Sequence, residues 1–549
     1  MVDGDAGWSE STAAARRADV STNPLASETL PMLGGRGGPS PSGDLDFRND
    51  GSDGDSDGDG TGADKSRGSS FDGIVSSHTG SFAPPCGDVG AGDGARMGRT
   101  PTWNITLNSI MYMAVPLSMP ATMAAAGWLW GAVWFTYCSV ATYWTGLIIG
   151  RVFDAHPTLT TYPVMAAEGF AQLCMARTGG NLARAHGWRV FGRRLVLVMQ
   201  FVTYYLDAVT QMIYVAQFFG QLLPGAKVCQ WTWLVVVWGI SVPLMQIPTF
   251  HASRWVIVPA AATTALSVAF FLGEVAAVHP WNCQPGPSYG GVTVRSSFVS
   301  LASFAYAFGG HGMFPEALRE MKEPKRWPAV MTWTYAVMVP CYLVCMCLGY
   351  YAYGSFSQAN INLNFPDNWV NTVSLTLQLL QCYYLIFYTN VAIVMGLEMD
   401  AGVDPTTTWA PPVRWAGGLS PVWVRLVLRT MFLGSQVVLA LVFLGGSGDI
   451  ILDVQALTGA VGMAAMTFSL PSMLALSLLP PGAMGGLERA WCHVNFWIGV
   501  GIAVVGVYGS VIDLTEDATW ELGGACLLKY TYAPHDPADP CYISGILGT

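Results

Sequence analysis

From Trp103 to about residue 512 the chain is a succession of long apolar runs with short polar interruptions. Eleven runs approach the ~20 residues that a helix needs to cross a bilayer's hydrocarbon core. They cover roughly 103–125, 128–150, 194–222, 231–250, 255–278, 296–314, 329–353, 369–397, 422–446, 450–479 and 491–512. The third and tenth are long enough to tilt or to protrude. The stretch 151–193 is too long and polar for a turn, and its pattern predicts an amphipathic helix around Val164–Arg177. The predicted fold class is an all-α polytopic membrane protein with eleven transmembrane helices.

Composition sharpens that picture by exclusion. Only 11% of the 549 residues are charged while 52% are hydrophobic, and the mean hydropathy is +0.39. A soluble globule of this size needs far more charge to cover its surface. This excludes a soluble enzyme, a nucleic-acid binder and a secreted disulfide scaffold. Residues 1–100 hold 16 acids and 8 bases, so most of the net charge of -10 lies in a segment without apolar runs. The stretch Asn49–Gly62, built of Asp, Gly, Ser and Thr around a single Asn, reads as a disordered acidic tail. Its spaced aspartates lack the closing Glu and flanking helices of a calcium loop.

Basic residues set the expected orientation. With a cytosolic N-terminus, fourteen Lys and Arg fall in inside loops, from Arg151 to Arg489, against Lys227, Arg295 and Lys529 outside. That is a positive-inside distribution. The domains are then a cytosolic tail (1–100), an eleven-helix core (101–512) and an extracytosolic C-terminal tail (513–549). Cys229, Cys283, Cys526 and Cys541 fall outside, where one or more disulfides can form in any of three pairings.

Two spans interrupt themselves. Span one contains Pro116 and Pro120, which predict an opening near Ala114–Ser118. Span six contains Gly309, Gly310 and Gly312, followed by Pro315. Each alone reads as a kink or as tight helix packing. Five spans apart, the pair instead points to an inverted-repeat transporter with substrate at the breaks. Opened backbone offers amides to a carboxylate and carbonyls to an amine, which suits a zwitterion.

The residues around these breaks carry a family resemblance. Tyr306-Ala-Phe-Gly-Gly-His311-Gly-Met-Phe-Pro-Glu316, with Met321-Lys-Glu-Pro324-Lys-Arg-Trp327 after it, resembles the sixth-span signature of the amino acid/auxin permease family. Leu117-Ser-Met-Pro120 followed by Gly127-Trp128 resembles its first span, and Thr161-Tyr162-Pro163 also fits. The resemblance covers about residues 100–512. It implies a LeuT-type fold, a 5+5 inverted repeat plus one extra helix, and secondary active transport of amino acids coupled to protons or sodium. Where the family usually places glycines before the Leu-x-Leu-Pro of span one, this chain has Met113, Ala114 and Val115, with Pro116 added. That departure leaves a smaller or differently posed substrate open.

Span three carries Gln200, Tyr204, Asp207, Gln211, Tyr214 and Gln221 on one helical face. Asp207 lies near mid-span, where an ionisable group is costly and usually faces an internal cavity; the glutamines read as interhelical bonding groups. Glu274 sits near the outer end of span five, and Arg425 and Arg429 near the inner end of span nine, where they can snorkel. Asp449 and Asp453 flank span ten as interfacial groups, and Cys341, Cys345 and Cys347 read as packing residues rather than a metal site.

The expected substrate contacts are Ala114, Val115, Pro116, Leu117 and Ser118 from the first break. Tyr306, Phe308, Gly309, Gly310 and His311 come from the second, with Tyr204 between them. His311 reads as a neutral hydrogen-bonding brace before a titrating group. Asp207 is the first choice for coupling and Thr389, beside Asn390, the sodium alternative. No cofactor, catalytic residue or metal ligand is expected: a proton or sodium gradient is the driving force, and the partners are an amino-acid substrate and the lipid bilayer, with no nucleic acid. The expected function is proton-coupled amino-acid symport by alternating access. Sodium coupling, or an amino-acid sensor signalling through the tail, are the alternatives; no enzymatic constellation is present. The location is an integral, multi-pass membrane protein with a cytosolic N-terminus, in either the plasma membrane or a vacuolar or other endomembrane.

Tags placed at Gly60 and after Thr549 should therefore report opposite sides of the membrane, the first cytosolic. Protease protection of both tags, or of neither, would contradict the odd number of spans.

Overall fold

The computed structural model describes residues 100–516, apart from 180–181, 227, 247–253, 283–285, 401–402, 404–417 and 445–449. The acidic run Asn49–Gly62 and residues 517–549 lie outside the described residues, as do Asp449 and Cys283, Cys526 and Cys541. Cys229 is disulfide-bonded, while the other described cysteines are free, so its partner is outside them too.

Span one opens where prolines dictate. Helix α1 (Thr102–Tyr112) ends, Met113–Val115 leave the helix, and a single 3₁₀ turn (Pro116–Ser118) leads into α2 (Met119–Ala155). Pro120 sits in the first turn of α2, where backbone N–H groups have no intrahelical partner, so its ring is tolerated. Within α2, Gly127 adopts φ 69° and ψ 176°, a left-handed φ that breaks the helical path. A Cβ there would lie 2.9 Å from Val292 Cγ2. The expected division between the first two spans falls at this glycine.

The polar stretch after α2 forms α3 (Tyr162–Thr178), which ends on Gly179 in a left-handed cap. It packs closely on α4 (Leu182–Leu222): a Cβ at Gly192 would meet Phe170 Cδ2 at 2.5 Å. The Tyr162 hydroxyl donates to the Met466 carbonyl at 2.5 Å. Helix α3 is thus tied into the bundle and not merely laid on an interface. Helix α4 begins well before the expected residue 194, since α3 covers its first turns. Then come α5 (Gln230–Leu244), shorter than expected, and α6 (Arg254–Val278).

Span six breaks like span one. Helix α7 (Val294–Ala307) is capped by Thr293, whose side chain accepts from Ser296 N–H, and stops before Phe308–Gly310. A 3₁₀ turn (His311–Met313) and α8 (Phe314–Glu320) follow, with Pro315 in the first turn. The remaining helices are α9 (Trp327–Tyr353), α10 (Trp369–Asp400), α11 (Pro421–Phe443), α12 (Ile450–Thr458), α13 (Leu470–Leu478) and α14 (Gly486–Glu516). Two π turns, Gly459–Met463 and Ala465–Ser469, join α12 to α13. There the chain approaches its neighbours without side chains between: a Cβ at Gly459 would fall 2.0 Å from the Ala302 carbonyl oxygen.

Among the described residues, eight helical segments are long and apolar enough to cross a membrane, and Trp231–Leu244 is a shorter apolar helix. One segment runs from Thr102 to Ala155 and so contains the first two expected spans. Buried apolar side chains fall into two main groups. One draws mainly on α1, α2, α7, α8, α9 and α13 and also takes in Val196 of α4 and Tyr384 and Leu385 of α10; the other draws mainly on α4, α5, α10 and α11 and also takes in Ala121 of α2. Outward-facing Trp333, Val438 and Trp497 are 65%, 62% and 67% exposed in mid-helix, a surface suited to lipid. After Gly354 (φ 57°), residues 354–364 turn inward, burying Asn360, Asn362 and Asn364. Asn362 donates to Asn371 Oδ1 at 2.8 Å and Tyr214 OH donates to the Ala359 carbonyl at 3.2 Å.

One expectation is corrected here. Arg429 does not snorkel: it is buried and paired with Glu398 on α10 through Nε–Oε1 at 2.6 Å and NH2–Oε2 at 2.8 Å. It also donates to the Met245 carbonyl. A charge on α11 pointing inward finds a carboxylate there, and that fork-to-fork geometry outweighs the reach to water. Removing one partner strands the other charge, so Arg429→Met should destabilise the protein by about 3–5 kcal/mol. Replacing Glu398 with Leu in the same chain should recover most of that loss, as measured by thermal unfolding in detergent.

Candidate functional site

The two openings face one another in the interior, and several of the opened carbonyls have side-chain partners. Gln381 Nε2, from α10, donates to the Ala114 carbonyl at 2.9 Å. Gln200 Nε2, from α4, donates to the Gly312 carbonyl at 2.7 Å. Tyr342 OH, from α9, donates to the Ala307 carbonyl at 3.1 Å and accepts from Val115 N–H at 3.4 Å. Ser118 closes the first break locally, donating from Oγ to the Val115 carbonyl at 3.1 Å. An unpaired backbone group in an apolar interior is costly, so these bonds are what permit the helices to open.

Asp207 meets the second break directly. Tyr306 OH, on the next-to-last residue of α7, donates to Asp207 Oδ1 at 2.5 Å. Gln211 Nε2 approaches the same tyrosine oxygen at 3.5 Å. All six polar residues of the α4 face are buried, and Tyr214 receives a hydrogen bond from Gln455 Nε2 at 3.2 Å. Tyr204 packs edge-on against Tyr112 with ring centroids 6.1 Å apart, and its hydroxyl oxygen would lie 2.6 Å from a Cβ at Gly312.

His311 turns away from the α4 face. Its Nε2 lies 2.9 Å from the Thr142 carbonyl and 3.0 Å from Thr145 Oγ1, both on α2. A carbonyl can only accept, so Nε2 carries the ring proton, while the buried Nδ1 has no partner. The side chain braces the break against α2. Phe308 is sealed among Phe135, Tyr335 and Tyr342, with centroids at 5.7, 6.1 and 5.2 Å.

The glycines mark close approach. A Cβ at Gly309 would sit 2.5 Å from Met463 Sδ, and one at Gly310 would sit 2.9 Å from Phe314 Cε1 and 3.3 Å from Met113 Sδ. Other expected residues lie apart from this centre. Leu117 packs with Phe271 and Val275 of α6. Thr389 Oγ1 donates to the Leu385 carbonyl of its own helix at 2.8 Å, and Asn390 exchanges two hydrogen bonds with Gln436 at 3.0 and 2.6 Å. Pro116 supplies the 3₁₀ turn and no polar contact, its nitrogen having no proton.

Comparison with known proteins decides the family. The family described as transmembrane amino acid transporter protein matches residues 99–512. The chain belongs to that family. This transporter is similar to amino acid transporter AVT1D of Arabidopsis thaliana, at 23% identity over 417 residues, covering 73% of this chain and 68% of that one. It is also similar to amino acid transporter AVT1E of the same plant, at 20% identity over 417 residues and 73% and 71% coverage. Among solved structures, a Na⁺-coupled sialic acid symporter, substrate-bound and outward-open, aligns over 77% of this chain and 90% of its own with 11% identity and a TM-score of 0.38.

Sequence reasoning about the transporter missed three residues at its breaks: Tyr342, Gln381 and Thr142. A signal existed for Gln381. Asn371, Ser374, Gln378 and Gln381 form a second polar stripe at steps of three, four and three, and all are buried. Tyr342, alone in an apolar run, carried none.

Gly310→Val should press on Phe314 and Met113 and distort the second opening. The expected result is at least about a tenfold loss of amino-acid affinity, the cost of one or two kcal/mol of overpacking, with normal membrane insertion. Scintillation proximity binding on purified protein measures it; unchanged affinity would place the substrate elsewhere.

Proposed function

We propose that the transporter is a proton-coupled amino-acid symporter working by alternating access, with substrate held between the two openings. In this reading the chain spans the membrane eleven times as a 5+5 inverted repeat plus α14, with its N-terminus in the cytosol. Thr102–Ala155 counts as two spans divided at Gly127, and α7 with α8 counts as one broken span. The observation that carries the reading is the 2.5 Å contact from Tyr306 at the second break to Asp207 on α4. It joins α7, which ends at the second break, to α4.

The contact depends on charge. A carboxylate is a strong acceptor for the tyrosine proton, and such a charge-assisted bond is roughly twice as strong as its neutral counterpart. Protonating Asp207 weakens the bond, lets α7 shift against α4, and exposes the site to the opposite side. Loss of that proton on the far side restores the contact. Gln381 of α10 and Gln200 of α4 also reach the breaks through single hydrogen bonds, which can exchange for water or substrate as those helices rock. Ala114, Val115, Gly309 and Gly310 offer the backbone surface that a zwitterion needs, while Phe308 and His311 hold the second opening from behind.

Asp207→Asn keeps size and acceptor but releases no proton. The variant should bind amino acids and exchange them across proteoliposome membranes at rates near wild type. It should fail to accumulate them against a gradient when only a pH difference is imposed. Concentrative uptake equal to wild type would remove Asp207 from the mechanism, and a wild type driven by sodium alone would remove proton coupling.

A further inference from the structure

One oxygen atom holds both openings. Tyr342 OH donates its proton to the Ala307 carbonyl at 3.1 Å and accepts the Val115 N–H at 3.4 Å, a long bond that Val115 shares with the Met113 carbonyl at 3.0 Å. A phenolic hydroxyl carries one proton and acceptor lone pairs, so a single group can serve both chains. The side chain is fully buried and its ring is fixed edge-on against Phe308, centroids 5.2 Å apart at 77°. Gln381 and Gln200, by contrast, each reach one opening only.

Placement distinguishes Tyr342 further. It belongs to the apolar group that contains α1, α2 and α7, whereas Gln381 and Gln200 stand on α10 and α4. The glutamine bonds must exchange if α10 and α4 shift against the breaks; the tyrosine bonds, made from α9, need not. A stiff aromatic ring with two side-chain torsions makes a better spacer than a flexible amide arm.

We infer that Tyr342 is a positioning residue that fixes the distance between the two openings and thereby sets which amino-acid side chains the site accepts. The inference rests on the reading that substrate lies between the breaks. A gap held at one width discriminates by volume. Without the hydroxyl, the Ala307 carbonyl loses its partner and the two broken ends are free to separate.

Tyr342→Phe removes the hydroxyl and keeps the ring. In full-length protein reconstituted into proteoliposomes, exchange of glycine, alanine, leucine and phenylalanine gives KM and Vmax for each. The best substrate should lose affinity by about tenfold, as expected for losing a buried hydrogen bond and stranding its acceptor. The ratio of KM values between small and large substrates should shrink, while Vmax stays within about twofold, since no group crossing between the moving helices has been removed. Tyr353→Phe is the control: its hydroxyl lies on the same helix, is buried, and makes no hydrogen bond to either break. It should leave the order of substrates unchanged.

An unaltered KM series in Tyr342→Phe overturns the inference, as does a uniform fall in Vmax with KM ratios intact, the signature of a purely structural residue. Equal effects from Tyr353→Phe overturn it as well. If Gly310→Val abolishes binding while Tyr342→Phe does nothing, the site reading stands and only the role of Tyr342 falls. If Gly310→Val binds normally, both fall together.

Discussion

An opened peptide backbone inside an apolar bundle must find hydrogen-bond partners, and the architecture here follows from how it finds them. Helices α1 and α2 part at Met113–Val115, and α7 and α8 part at Phe308–Gly310. The carbonyls of Ala114, Ala307 and Gly312 are then satisfied by Gln381, Tyr342 and Gln200, from three different helices. Those donors fix where α10, α9 and α4 stand around the breaks. Lose the openings and the polar side chains pointing at them become buried groups without purpose.

Glycine and proline divide the work of opening. Pro120 and Pro315 start helices, each in a first turn where a missing N–H goes unnoticed. Gly309 and Gly310 make room: Met463 and Phe314 occupy the space that any side chain at these positions would need. The π turns between α12 and α13 complete that packing, because the widened backbone at Gly459 rests directly on α7. The second opening is therefore backed by close-packed apolar surface on one side and faced by the polar stripe of α4 on the other.

This asymmetry separates two kinds of contact. Within the group that contains both broken helices, apolar packing is reinforced by His311 on Thr142 and by Tyr342 on both breaks. Toward α4 and α10 the breaks make single polar bonds, Tyr306 to Asp207 among them, beside ring contacts of Tyr112 with Tyr204 and Tyr388. Packed apolar surfaces resist sliding, whereas hydrogen bonds exchange partners at little net cost when another donor arrives.

Much of this was legible in the chain itself. The all-helical, membrane-spanning class, both breaks and the buried face of α4 follow from local rules: apolar run length, proline's missing proton, glycine's missing Cβ and helical spacing. Tertiary structure alone decided which groups meet. Arg429 looked able to reach water, yet Glu398 on α10 holds it inside, because that carboxylate lies nearer in space than any sequence offset reveals. Thr389 donates its hydroxyl proton to its own helix, and Leu117 packs against α6, since rotation of a helix about its axis is set by packing and not by composition. Tyr342 is the clearest case. An aromatic residue in an apolar span looks like ordinary core; only the distance of its one oxygen to Val115 and Ala307, separated by nearly two hundred residues of chain, makes it the point where both openings are held.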